Sequence, residues 1–206
     1  MLKPGEVHVW RVDLDRSAER WHAEPIAEEV ARAARFQSEE MRKRYLVSHA
    51  ALRATLAAEA GTHLELACDG NGKPYLANAR RLRFNLSHSG SRALIGAALH
   101  VEVGVDIEQI RPMPEHLAIA ERFFPPADFA ELAASPESLR EREFFRRWTR
   151  IEALLKARGV GLYGAGTIPE GEWSVAEVDA GDGFAAAVAG AASNLLIVCH
   201  DFVPPL

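Results

Sequence analysis

Three short apolar runs stand one behind another in the middle of this chain, at 82–86, 93–99 and 103–110. Only a Ser-Gly-Ser segment and the short stretch 99–102 part them, too little chain for an intervening helix. Runs of this length bounded by turn residues read as strands, so the centre of the fold is sheet. Helix-periodic segments flank it. Residues 26–36 and 39–60 come before, and in the second Met41, Tyr45, Val47, Ser48, Leu52 and Leu56 recur at helical spacing until Gly61 ends the run. Asp69-Gly70-Asn71-Gly72-Lys73-Pro74 is a turn by its chemistry, because Asp-Gly and Asn-Gly tolerate positive φ and Pro74 bars a helix from following. Further helices are predicted at 115–124, at 127–134 and from Ser135-Pro136 to Gly159, with Pro136 in the first helical position. A short strand opens the chain at 7–12, and strands return at 173–178, 184–188 and 195–202. This order is α+β, with two lobes of similar content, residues 1–100 and residues 101–206.

Composition serves mainly to exclude. The 206 residues are 48% hydrophobic and 26% charged, ordinary for a globular chain able to bury a core without staples. A formal net charge of −5 argues against a general nucleic-acid binder, while allowing a local basic patch. No apolar run approaches the roughly 18 residues of a membrane span. The opening MLKPGEVHVWRVDLD carries charges early and lacks the apolar core of a signal peptide. Cys68 and Cys199 have no metal-ligand spacing, and in their apolar settings they read as reduced, buried and structural. Together these point to the cytoplasm.

Three segments carry chemistry. In Val103-Gly104-Val105-Asp106-Ile107-Glu108 the two acids, two apart on a strand, share a face, while Val105 and Ile107 face a core. Adjacent carboxylates repel and are relieved by a cation or a shared proton, and a hard divalent ion suits them; a solvated acidic strand face is the alternative. Gly104 lets another backbone or a ligand approach closely. In Trp148-Thr149-Arg150-Ile151-Glu152-Ala153-Leu154-Leu155-Lys156, the residues Trp148, Glu152 and Lys156 lie along one helix face. Glu152 and Lys156 could form a surface ion pair, or line a site beside the indole. Phe84-Asn85-Leu86-Ser87-His88-Ser89-Gly90 reads as a strand ending in a turn whose hydroxyls, imidazole and free backbone N–H groups suit a phosphate. A serine hydrolase is disfavoured, because Ser87 and His88 point to opposite faces and no G-x-S-x-G elbow surrounds them.

Taken in order, Gly72-Lys73-Pro74, Phe84 through Ser89, Gly104 through Glu108, Arg122-Phe123-Phe124 and Trp148 through Gly159 resemble the motifs of the 4′-phosphopantetheinyl transferases, specifically the surfactin-type branch. The likeness runs from Lys73 to Leu162 and more loosely over 36–53. It implies a 4′-phosphopantetheinyl transferase fold of two similar α/β lobes related by a pseudo-twofold, with coenzyme A between them. The N-terminal lobe would contact the nucleotide, and the C-terminal lobe would carry the metal site and the catalytic helix.

The implied enzyme is a holo-[acyl-carrier-protein] synthase. A serine of an apo acyl, peptidyl or polyketide carrier protein attacks the β-phosphorus of coenzyme A, and 3′,5′-ADP leaves. By resemblance Asp106, Glu108 and Glu152 hold Mg²⁺, with Mn²⁺ an alternative, and Glu152 is the general base, directly or through a metal-bound water. Lys156 stabilises the leaving group. Arg44, Lys73, Pro74, Ser87 and His88 contact the nucleotide and its 3′-phosphate, with Arg53 a weaker candidate. Such members act as monomers, with no nucleic acid or membrane partner. Arg111, Arg122, Arg146, Arg147 and Arg150 are candidates for a basic patch facing an acidic carrier. Two positions depart from the pattern. Ile151 stands where many members have Lys, and in the N-terminal helix only Arg32 and Arg35 could replace the phosphate-binding lysines. A pyrophosphohydrolase on another nucleotide diphosphate and a non-catalytic binding protein are the rival readings.

Overall fold

The computed structural model describes residues 1–20, 24–61, 63–161 and 172–205. Its central strands are those the apolar runs predict. β1 (Glu6–Asp13), β4 (Leu82–Ser89), β5 (Arg92–Leu99) and β9 (Leu196–Asp201) form a sheet in the order β4-β5-β1-β9. Its pairs are antiparallel except β1 with β9, which run parallel. A second, antiparallel sheet has the order β6-β8-β7, built from β6 (Val103–Gln109), β8 (Phe184–Gly190) and β7 (Ser174–Glu177). A small ladder joins β2 (Leu66–Cys68) to β3 (Pro74–Leu76).

Alternation along the strands divides the apolar residues among separate cores. On one face of the first sheet Val12, Phe84 and Ile95 pack with Ala51, Leu52 and Leu56 of α3 (Glu39–Ala60). On the other face Val7, Val9, Leu94 and Ala98 meet Val103, Val105, Ile107 and Val188 of the second sheet. The outer face of the second sheet presents Ala187 and Ala189 to Ala153 and Ala157 of α6 (Glu137–Arg158). The layers therefore run helix, sheet, sheet, helix. A fourth, aromatic cluster of Phe124, Phe144, Phe145 and Trp148 ties α6 to α4 (His116–Phe123) and α5 (Pro126–Ala134).

The long helices start and stop as their chemistry requires. Ser38 caps α3, its Oγ accepting from Met41 N at 3.4 Å. Gly159 ends α6 in the left-handed region at φ 65°, with Val160 N donating to Leu155 O at 3.0 Å. Pro136 is the N-cap of α6 and so sits one position earlier than its spacing predicts. Three elements have no sequence counterpart: α1 (Leu14–Arg20), β2 and β3. α2 (Ala27–Ala33) is shorter than the predicted 26–36.

Two expectations are corrected. The segment Ser87-His88-Ser89 is not a turn with free N–H groups: it continues β4, in register with Leu94, Ala93 and Arg92 of β5, and the turn falls at Gly90 and Ser91. Cys68 and Cys199 are free thiols as read but exposed rather than buried, because each lies on a short outer strand with one side toward solvent. β9, from the second half of the chain, pairs with β1 of the first half. The predicted turn at 69–74 is present, with Asp69 Oδ1 accepting from both Asn71 N and Lys73 N at 2.9 Å. Among the described residues no helix is long and apolar enough to cross a membrane.

Candidate active site

β6 alternates as its sequence requires. Val105 and Ile107 are buried between the sheets, and Asp106 and Glu108 turn the other way. The edge of β6 that faces β4 is satisfied by side chains: Asn85 Oδ1 accepts from Val105 N at 2.9 Å, and Ser89 Oγ from Gln109 N at 3.1 Å. The same strand of hydroxyls meets the acids. Ser87 Oγ donates to Asp106 Oδ1 at 2.9 Å, and Ser89 Oγ to Glu108 Oε2 at 2.9 Å.

Gly104 explains how α6 comes so near. A Cβ on it would collide with Ala153 O and Ala157 N, backbone atoms of α6 that have nowhere to retreat. The close approach expected of this glycine is that of a helix. It brings Lys156 Nζ to 2.6 Å from Asp106 Oδ1 and 2.9 Å from Ser87 Oγ. Lys156 thus pairs across elements rather than with Glu152 on its own helix. Glu152 takes no ion pair among the described residues, and Trp148 packs against Phe144 and Phe124 in the aromatic cluster.

Asp106 is 3% exposed, and its Oδ2 is buried with no hydrogen-bond partner. Burial pushes its pKa up, against the pull of Lys156 and Ser87, and the neighbouring Glu108 adds to the rise. Glu152 is raised by burial first and then by Asp106, with Lys156 opposing and Glu108 adding a smaller push. Asp106 and Glu152 thus both feel Glu108, and Glu152 feels Asp106 as well.

The opposite face of β4 carries His88 toward α3. Its ring meets Tyr45 edge-on at 6.4 Å, and Tyr45 in turn lies 4.3 Å from His49. Burial, then the Lys156 charge, lowers the His88 pKa, with Glu108 opposing. Burial, then the charges of His88, Arg32 and Arg53, drives His49 down to about 4. His49 is absent from the sequence reading. Its i,i+4 spacing from Tyr45 was visible, but nothing local says which strand that helix face meets.

Other expected contacts are engaged elsewhere. Arg44 is held by Asp15, two bonds of 2.8 Å, and by Glu40 at 2.5 Å. Arg53 pairs with the buried Glu29 and donates to Glu24 O at 2.9 Å. Lys73 Nζ donates to Glu102 Oε2 at 2.8 Å and to Ala157 O at 2.6 Å. Pro74 opens β3 and, with Asn71, Asn85, Lys156 and Gly159, lines a cleft of about 250 Å³. Leu162, where the motif likeness ends, lies outside the described residues.

The arginines proposed as a basic patch are largely neutralised by acids of this chain. Arg147 bonds Asp128 at 2.7 Å and Glu131 at 2.8 Å, Arg146 bonds Glu143 at 2.7 Å and Glu177 at 2.6 Å, and Arg150 lies 3.6 Å from Glu177. Arg111 and Arg122 lie over the rings of Phe145 and Phe123.

Among the described residues no three acids or histidines are gathered as a ready metal cage. The donor chemistry nevertheless fits a hard divalent cation. Asp106 Oδ2 is a buried carboxylate oxygen without a partner, beside two further carboxylates, and all are oxygen ligands.

Residues 102–192 match the model of the 4′-phosphopantetheinyl transferase superfamily. The 4′-phosphopantetheinyl transferase HetI of Nostoc sp. is 35% identical over 170 residues, which is 78% of this chain and 72% of that protein. A 4′-phosphopantetheinyl transferase of Bacillus subtilis is 30% identical over 162 residues, 75% of this chain and 71% of that protein. The 4′-phosphopantetheinyl transferase psf-1 of Bacillus pumilus is 43% identical over a shorter span of 94 residues, 46% of this chain and 39% of that protein. Since HetI is matched over more than two thirds of its length and the shared span contains the acids of β6 and α6, the chain belongs to the 4′-phosphopantetheinyl transferase family.

Proposed function

We propose that the chain transfers the 4′-phosphopantetheine arm of coenzyme A to a serine of an apo carrier protein, releasing 3′,5′-ADP. The observation that carries this reading is the pairing of Lys156 with a buried, half-satisfied Asp106, beside Glu152. The serine oxygen forms a bond to the β-phosphorus, and the bridging oxygen leaves with 3′,5′-ADP. Phosphoryl transfers of this kind are helped mainly by positioning and by neutralising developing charge.

Asp106, Glu108 and Glu152 would hold Mg²⁺ or Mn²⁺, which when bound neutralises pyrophosphate charge. Glu152, whose proton affinity burial raises, would take the serine proton, directly or through a metal-bound water. Lys156 brings its ammonium to the departing phosphate. Ser87 and His88, with Pro74 and Arg44, are read as the nucleotide side of the site. The same reading sets the enzyme in the cytoplasm as a monomer.

The test is to incubate the protein with coenzyme A, Mg²⁺ and an apo carrier, then weigh the carrier by intact mass spectrometry. A gain of one phosphopantetheine, lost with EDTA and with Asp106→Ala, supports both the reaction and the metal. Breakdown of coenzyme A without carrier modification would favour a pyrophosphohydrolase. Absence of both coenzyme A binding and transfer, across fatty-acid, polyketide and peptide carriers, would sink the proposal.

A further inference from the structure

Alternation along β4 turns Asn85, Ser87 and Ser89 the same way, and all three meet β6. Asn85 satisfies the strand edge, and Ser87 bonds the acid Asp106. Ser89 does both with one hydroxyl. Its Oγ accepts from Gln109 N at 3.1 Å and donates to Glu108 Oε2 at 2.9 Å. Because the Gln109 amide points its hydrogen at this oxygen, the serine's own proton goes to the carboxylate. Arg111 Nη1 approaches the same Oε2 at 3.5 Å and donates to Gln109 O at 3.2 Å. Glu108 is therefore held through one oxygen, and its Oε1 takes no hydrogen bond among the described residues.

Asp106 shows the same pattern two residues earlier. Ser87 and Lys156 both engage its Oδ1, while its Oδ2 is buried without a partner. On each acid, β4 supplies a hydroxyl to one oxygen and leaves the other open. The two acids differ in how firmly packing holds them. The Glu108 side chain is 27% exposed against 5% for that of Asp106, and a glutamate has one more rotatable bond. Packing fixes Asp106, whereas Glu108 depends on hydrogen bonds for its orientation.

We infer that Ser89 is a positioning residue for the cation: it fixes one oxygen of Glu108 so that the other stays open to the ion. Ser89 acts through Glu108 and is not a ligand itself. The inference rests on the transferase reading above, because that reading gives Glu108 its place in holding Mg²⁺ or Mn²⁺. Groups that orient a ligating carboxylate govern metal affinity, and losing one costs about 10–100-fold. Without the hydroxyl, Oε2 is released and the side chain gains rotamers that ion binding has to remove again.

The experiment titrates Mn²⁺ into wild type, Ser89→Ala, Ser89→Thr, Glu108→Ala and the Ser89→Ala, Glu108→Ala double variant, with and without coenzyme A. Free Mn²⁺ is followed by electron paramagnetic resonance, coenzyme A affinity by calorimetry in EDTA, and amide hydrogen exchange at Gln109. Ser89→Ala is expected to raise the Mn²⁺ Kd about tenfold, with coenzyme A affinity in EDTA unchanged. Ser89→Thr keeps the hydroxyl and should stay within about threefold of wild type. Transfer by Ser89→Ala should recover at saturating Mn²⁺, since the defect lies in loading the ion. In the Glu108→Ala background Ser89→Ala should add nothing, because the residue it acts through is gone.

Losing the acceptor of Gln109 N speeds exchange at that amide whatever else Ser89 does. Faster exchange with an unchanged Mn²⁺ Kd would make Ser89 a strand-edge residue only and overturn the inference. Weaker Mn²⁺ binding in the double variant than in Glu108→Ala would make Ser89 a ligand in its own right, and would overturn it too. A wild-type protein that binds no Mn²⁺ in either state would overturn it outright. One that binds Mn²⁺ but transfers nothing would remove the transferase reading, and the titration, which needs neither carrier nor turnover, would still decide the role of Ser89. Should Ser89→Ala not fold, Ser89→Val against Ser89→Thr carries the comparison, since the two share a shape, differ at the hydroxyl and both suit a strand.

Discussion

Burying a carboxylate without satisfying it is costly, yet Asp106 has a lone-pair oxygen sealed from solvent with no donor. Lys156 relieves only the other oxygen, and Glu152 and Glu108 press on the same region. Such an arrangement suits a cation or a shared proton. Glu152→Gln keeps the shape of the side chain and removes the base, so transfer should fall by about 100-fold or more with coenzyme A binding retained. Calorimetry alongside the carrier mass assay separates the two quantities, and a rate within a few-fold of wild type would remove Glu152 as the base. His49 allows a test of a different kind. Its pKa of about 4 in the folded chain lies well below that of a free imidazole, so between those values the unfolded chain binds a proton that the folded chain refuses. Stability is therefore full above the free value and declines as pH falls from about 6.5 toward 4. His49→Asn removes this contribution, so its urea midpoint should drop less than that of wild type between about pH 7 and about pH 5. Equal drops would show that His49 does not carry the slope.

Elements meet here through small residues. Ala153, Ala157, Ala187 and Ala189 make the contact between α6 and β8, and Gly104 makes the contact with β6. In Gly104→Ala the new methyl would press on helix backbone, which cannot rotate away as a side chain could. Overpacking of this sort costs about 1–3 kcal/mol, so thermal unfolding should come several degrees earlier. Because the displaced helix bears Glu152 and Lys156, transfer should fall by about 100-fold in the same variant. Full activity in Gly104→Ala would show that the approach of α6 does not set the site. At this scale the sequence was legible wherever an element is long or carries its own end signals. α3 and α6 have periodic faces, a serine cap and closing glycines. α1, β2 and β3 are too short to show a period, and β2 and β3 pair only with each other across the 69–74 turn, so no apolar pattern marks them. The end of β4 was misread because Ser-His-Ser-Gly is turn chemistry, whereas pairing with β5 keeps it extended.

The molecule as a whole is closed by its last strand. β9 lies beside the first strand, and the two sheets share one core made of residues from both halves of the chain. This return leaves β9 at the edge of its sheet and Cys199 exposed, with Cys68 similarly exposed on β2. Both thiols should react with a soluble thiol reagent in the native protein, to the same extent as after unfolding. Protection of either until denaturant is added would contradict the exposure of that strand.

The sequence by itself determined the elements with strong periods and the pairs of functional residues that lie within one element. Asp106 with Glu108 two apart on a strand, and Glu152 with Lys156 four apart on a helix, follow from backbone geometry alone. Which of these residues touch was decided only by the tertiary structure. Lys156 is as well spaced for Glu152 as for nothing else on its helix, yet it bonds Asp106 because Gly104 admits the helix against β6. His88 faces Tyr45 and His49 rather than the acids because β4 continues as a strand and alternates. Lys73 lies on the end of α6, 84 residues further along the chain, for a reason no window of sequence contains. Periodicity reports which face a residue takes on its own element, whereas the partner across a seam is set by how closely two backbones can pack.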